Sequence, residues 1–283
     1  VTGPGSAIPT FATINLLHAV NETPSLAIAC STISFAPTKE WEVAFEKAKA
    51  LGMELWLYNG GRPAHGMTNT EGEATDWRTI PWALRKRNVP LYFYWMSTYY
   101  TNYQAGEGAV NVFQRARTFG IHGANSTTDG EEGWMYGNGD GVLLYPGTDF
   151  AFPNESYDVW GPFVSLRMKY WRRGLQDVEY IELFKQRCGE EAAQAYIQRM
   201  MPKALWEVGD KKWYPEISWP QDWDAWEGIR RALGNAIAAG RCDPPPPLAA
   251  LRAGVEETTC MVVSDSALQR LAARGFAPVT CKR

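Results

Sequence analysis

A single glycine, Gly52, separates a helix from a strand, and this junction constrains the fold more than any other feature of the sequence. Upstream, Trp41, Ala44, Phe45, Ala48 and Leu51 recur at helical spacing and make one apolar stripe over residues 40–51, with Thr38 at the N-cap position. Downstream, residues 53–58 (MELWLY) read as a strand closed by Asn59-Gly60-Gly61. The same alternation surrounds it. Strands are expected at 11–14, 31–35 and 91–95, and a second helix at 76–88, with Thr75 as its cap and Pro81 in its first turns or breaking it. Strand, helix, strand, helix, strand at this spacing requires parallel pairing through crossover helices, so the expected class is α/β.

From residue 100 to 163 the chain turns rich in Gly, Asn and Tyr, and reads as a long loop region with one short strand at 141–145. Helices return at 165–187, where Gly174 is a weak point, and at 190–201 and 226–239. The run Asp243-Pro244-Pro245-Pro246-Pro247 reads as a stiff linker. Beyond it, residues 258–264, 265–274 and 277–281 read as a small strand–helix–strand appendage. The expected organisation is therefore 1–163, 164–242 and 243–283.

Composition narrows the function classes. The net charge is −3, from 28 basic and 31 acidic residues, which excludes a nucleic-acid binder working by bulk positive charge. No apolar run approaches the ~20 residues of a membrane helix, so no membrane span is expected. With 13 Trp and 13 Tyr, the chain is rich in flat apolar faces with polar edges, which suit sugar rings, interfaces or a large core. Five dispersed Cys, no CxxC and three His leave no metal site and no cofactor to expect. Sequons at Asn21, Asn125 and Asn154, with Cys260 and Cys281 near the end, point to a secreted or cell-surface glycoprotein; the alternative is a cytosolic chain with free thiols. The sequence starts at Val1 without a charged segment leading into an apolar one, so a removed leader or a longer parent chain is expected. Cys260 and Cys281 are expected to close the appendage as a disulfide, with Cys242 the competing partner of either; the pairing of Cys30, Cys188 and Cys242 is left open.

The candidate site residues lie at expected strand ends. Trp56, Tyr58, Asn59 and Arg62 belong to a strand running into a glycine turn, and Trp95 ends the next strand, where its ring would make a stacking platform. In α/β barrels the C-terminal strand ends carry the site. The alternative is a plain turn with a solvent-exposed Arg62, and a core plug for Trp95. Asp140, between two glycines, is a weaker candidate, and the charged stretch 172–177 reads as structural ion pairing.

Taken in order, Trp56-x-Tyr58-Asn59, Arg78-x-x-x-Trp82, Tyr92-x-Tyr94-Trp95, Gly139-Asp140-Gly141-x-x-x-Tyr145-Pro146-Gly147, Ser165-Leu166-Arg167 and Arg173-Gly174-Leu175-Gln176-Asp177-x-Glu179-Tyr180 form a series. Over residues 8–185 the series resembles the C-terminal half of the catalytic barrel of glycoside hydrolase family 123-like proteins, the β-N-acetylgalactosaminidase group. The resemblance implies a (β/α)8 fold and substrate-assisted hydrolysis by an adjacent Asp-Glu pair. This sequence has no Asp-Glu dipeptide, so that pair does not carry over; the aromatic wall of Trp56, Tyr58 and Trp95 does. Four strands are half a closed barrel. The remaining half is expected from the same precursor or another chain. Two functions follow: hydrolysis or binding of an N-acetylhexosaminide with the acid pair elsewhere, or a non-catalytic secreted or surface structural glycoprotein that keeps the barrel fold.

Overall fold

A computed structural model describes residues 8–33, 38–100, 111–114, 117–119, 137–147, 160–209 and 217–252. Strands β1 (Phe11–Thr13), β2 (Ile28–Ser31), β3 (Glu54–Tyr58) and β4 (Leu91–Phe93) form one parallel sheet in the order β1-β2-β3-β4. A helix follows each of the first three: α1 (Leu16–Glu22), α2 (Thr38–Ala50) and α3 (Ala74–Lys86). Crossovers of one hand that advance one strand at a time set all three helices on the same face of the sheet. The α/β class and the parallel sheet expected from the sequence are therefore present.

The details differ in instructive ways. The second strand lies at 28–31, three residues earlier than the alternating run STISF suggests. Pairing explains the shift: β1 ends at Thr13, opposite Cys30, and α1 begins three residues on, so β2 has no partner on that side beyond Ser31. Helix α1 itself carries a local signal. Asn15 caps it by accepting from Leu17 N–H at 2.9 Å, and Leu16, Ala19 and Val20 are its buried residues. Helix α3 begins at Ala74 rather than at 76. Thr75 is buried within it rather than capping it, and Pro81 lies inside it, where it forgoes the bond to the Trp77 carbonyl.

The sheet's two faces differ. Ala29, Leu55 and Leu57 point into the main core under the helices, together with Trp41, Ile80, Trp82 and Ala83. At roughly 1.5–3 kcal/mol per fully buried large apolar side chain, this layer is the principal source of stability. Helix α4 (Leu166–Cys188), capped by Ser165, packs along α3; α5 (Glu190–Met200) and α6 (Trp223–Ala239) complete the layer. Gly174 marks the α3–α4 crossing: a Cβ there would lie 2.4 Å from the Arg78 carbonyl oxygen. The weak point read from helix propensity is thus the point of closest approach. Strands β5 (Arg117–Phe119) and β6 (Gly137–Asn138) pair antiparallel, as do β7 (Leu144–Tyr145) and β8 (Phe163–Val164).

A disulfide joins Cys188, at the end of α4, to Cys242, just past α6. It removes Cys242 as a partner for the cysteines further on; Cys260 and Cys281 lie outside the described residues. The proline run does not stand away from the body. Pro245 is buried, Tyr196 Oη donates to the Asp243 carbonyl at 3.0 Å, and the short α7 (Leu248–Arg252) rests on α6 where Gly228 leaves room for the Leu251 carbonyl.

Candidate functional site

The sheet face away from the helices carries Phe11 and Thr13 of β1, Ile28 and Cys30 of β2, Glu54, Trp56 and Tyr58 of β3, and Leu91 and Phe93 of β4, as alternation and register require. Phe11, Trp56, Tyr58 and Phe93 stay apart from the main core. In a flat sheet β1 and β4, three steps apart, would be ~14 Å from each other. Yet the rings of Phe11 and Phe93 come within 6.2 Å, so the sheet curls and this face is concave. Phe11 also meets Trp56 at 5.5 Å, and Phe93 meets Tyr58 at 5.6 Å. The indole N–H of Trp56 donates to Glu54 on the same face. Burial pushes the Cys30 thiol on this floor up to about 11, so it stays protonated at neutral pH.

At the C-terminal rim, Tyr58 ends β3 and Trp95 stands two residues past the end of β4, 40% exposed. Asn59 joins them. Its backbone N–H donates to Phe93 O at 3.2 Å. Its side-chain oxygen accepts from Trp95 N–H at 3.1 Å, and its side-chain nitrogen donates to Trp95 O at 3.3 Å. Its φ of 45° is in the left-handed region that Asn tolerates. Beneath it, fully buried His65 sets Nε2 3.1 Å from Asn59 O and Nδ1 2.8 Å from Gly66 O, with Tyr92 edge-on to the ring. Burial pulls the imidazole below its ordinary pKa, against both carbonyls, which favour the proton.

The charged groups around the rim are engaged within the protein. Arg62 forks onto buried Asp76, Nε to Oδ2 at 3.0 Å and Nη2 to Oδ1 at 2.8 Å, and Asp76 Oδ2 also accepts from Met67 N–H. Burial raises the Asp76 pKa, and Arg62 works against that rise. Asp140 accepts from the Tyr94 hydroxyl at 2.9 Å, and that hydroxyl accepts from Gly141 N–H at 2.8 Å. Burial raises both the Asp140 carboxyl and the Tyr94 phenol. Arg167 holds the same turn by donating to the carbonyls of Gly139 and Val142.

The structure thus brings Tyr58, Asn59 and Trp95 together at one rim, sets Trp56 deeper on the same face, and turns Arg62 toward α3. Sequence reasoning missed Phe11 and Phe93 as members of the face; the strand alternation that contains them was the available signal. Asn21 lies in the last turn of α1, its side chain bonded to Leu17 O and Lys47. Asn125 and Asn154 lie outside the described residues.

No family model matches the chain, and no curated protein does. Among solved structures, the chain is similar to a family 123 glycoside hydrolase from Clostridium perfringens, studied for glycolipid glycan hydrolysis, at 12% identity and a TM-score of 0.43. The match covers 82% of this chain and 34% of that one, so the chain spans about a third of that protein's length. A likeness at that level carries no argument about the site.

Proposed function

We propose that the chain is part of a glycoside-hydrolase-like barrel and that its concave face binds carbohydrate of the N-acetylhexosaminide class, with the catalytic acid pair outside this chain. The observation that carries the reading is the aromatic lining of a concave sheet that ends, at its C-terminal rim, in Tyr58 and a substantially exposed Trp95. Flat aromatic faces at such a rim would suit the C–H face of a sugar.

A second reading, a non-catalytic secreted or surface glycoprotein, draws on the polar groups at the rim: Asn59, Arg62 and Asp140 each have protein partners. Both readings include a partner for the sheet. Among the described residues β1 and β4 are each paired on one side only, and a groove of about 600 Å3 runs between α3, α4 and the start of β4. These features suit a second barrel half, from the same precursor or another chain. The disulfide suits an oxidising compartment, hence secretion or the cell surface. Among the described residues no helix is long and apolar enough to cross a membrane.

Calorimetric titration with oligosaccharides ending in N-acetylgalactosamine or N-acetylglucosamine tests the reading. Wild type should bind, and Trp95→Ala should weaken binding by about 1 kcal/mol or more, the worth of an aromatic contact. Equal affinity in the two proteins would remove Trp95 from the site.

A further inference from the structure

We propose that Asn59 is the positioning residue for Trp95: its side-chain amide, pairing with both peptide groups of Trp95, fixes the indole as a platform at the rim. The proposal deepens the carbohydrate reading given above and rests on it for the ligand, but not for the geometry.

Regular pairing between β3 and β4 ends at Tyr58 and Phe93. The Tyr94 side chain is held by Asp140 and Gly141, and backbone pairing resumes only at residues 97–99, where Ser97 O accepts from Leu143 N–H and Leu144 N–H, and Tyr99 N–H donates to Gly141 O. Trp95 lies in the span between these two anchorages. There the Asn59 amide offers an acceptor to Trp95 N–H and a donor to Trp95 O, the two bonds that two further residues of a parallel strand would otherwise make. Only one orientation of the amide satisfies both contacts, so its oxygen and nitrogen are assigned by the partners themselves.

The residue type follows. The position needs a left-handed backbone, which Asn adopts more readily than most residues. It also needs a donor and an acceptor on one short side chain. Asp supplies acceptors alone, Gln reaches too far, and Ala supplies neither. The Asn59 main chain is held in turn: its N–H on Phe93 O and its carbonyl against the ring of buried His65. The clamp is therefore built on a rigid base, and its free end bears on the exposed aromatic residue of the rim.

The test separates ring position from sugar binding. The protein labelled with 5-fluorotryptophan gives 19F signals, and Trp95→Phe identifies the one from Trp95. In Asn59→Ala that signal should move toward the solvent-exposed value while the other indole signals hold. Affinity for N-acetylgalactosamine or N-acetylglucosamine oligosaccharides should fall about as far as in Trp95→Ala, five-fold or more. Asn59→Asp, isosteric and equally tolerant of the left-handed backbone, keeps the acceptor and loses the donor; it should give an intermediate shift, and it serves if the alanine variant does not fold. An unmoved Trp95 signal in both variants would overturn the positioning role, whatever the sugar titrations show. A moved signal in a protein that binds no sugar even as wild type would uphold the clamp and overturn the carbohydrate reading instead.

Discussion

The guanidinium of Arg78 and the carboxylate of Asp177 meet in complete burial, Nε to Oδ2 at 2.6 Å and Nη2 to Oδ1 at 3.2 Å, from the facing sides of α3 and α4. Around them the polar groups are satisfied. Arg78 also donates to Glu227 and to the Trp226 carbonyl, and lies over the ring of Trp223 at 4.7 Å. Asp177 also accepts from Trp82 Nε1 at 3.2 Å and Arg230 at 2.8 Å. Three helices are thereby tied at one point, directly beside the Gly174 crossing.

Removing Arg78 leaves Asp177 charged and fully buried with Arg230 as its remaining ion-pair partner. Arg78→Met is expected to cost about 3–5 kcal/mol, whereas Arg78→Met with Asp177→Leu should recover part of that loss, because the stranded charge is gone. Urea unfolding of the three proteins checks this. A single variant as stable as wild type would mean that the buried pair is dispensable.

At the strand-end turn, Asp140 gives a pH signature of opposite sense to an ordinary ion pair. Burial raises its carboxyl above the ordinary value of 3.8 in the folded state. The folded protein therefore holds the proton more tightly than the unfolded chain, and the stability this provides is present below 3.8 and lost as pH rises through the folded value. At neutral pH the ionised group carries a cost. Asp140→Asn keeps an acceptor for the Tyr94 hydroxyl and drops the charge. It should melt higher than wild type at pH 7, with the gap closing as pH is lowered below the ordinary carboxylate value. A gap that widens on acidification would reverse the assignment.

What the sequence displays is local. The strands before and after α3 are legible because MELWLY and LYFYW lie between helix and turn signals, and α4 because its apolar positions keep the helical period. Helix α1 is short, and its cap and four apolar residues are a weak pattern in isolation. What the sequence does not display is who meets whom across the fold. Asn59 finds Trp95 across 36 residues and Arg78 finds Asp177 across 99, and neither spacing has a local signature. The same holds for Arg62, which a turn reading leaves in solvent but which the fold turns onto Asp76, 14 residues on. The concavity of the open face is a property of sheet curl, visible only once Phe11 and Phe93 are seen to touch.

The disulfide offers a test that bears on stability and on compartment together. Cys188 and Cys242 are 54 residues apart, and the loop they close contains α5 and α6. In the chain-entropy account, closing a loop of that length stabilises by about 4 kcal/mol, chiefly by restricting the unfolded chain. The bond also anchors the start of the proline run, whose Asp243 carbonyl takes the Tyr196 hydroxyl and whose Pro245 is buried. Cys188→Ser and Cys242→Ser should each lower stability by a similar amount, and the double variant by no more than either single one, since all three lack the same bond. Reduction of the wild type with dithiothreitol should reproduce the loss and speed proteolytic cleavage around residues 243–252. Peptide mapping without reduction should yield a 188–242 cross-linked fragment. A fragment joining Cys242 to Cys260 or Cys281 instead would displace this pairing. A protein isolated from an oxidising compartment with both thiols free would remove the disulfide as support for secretion.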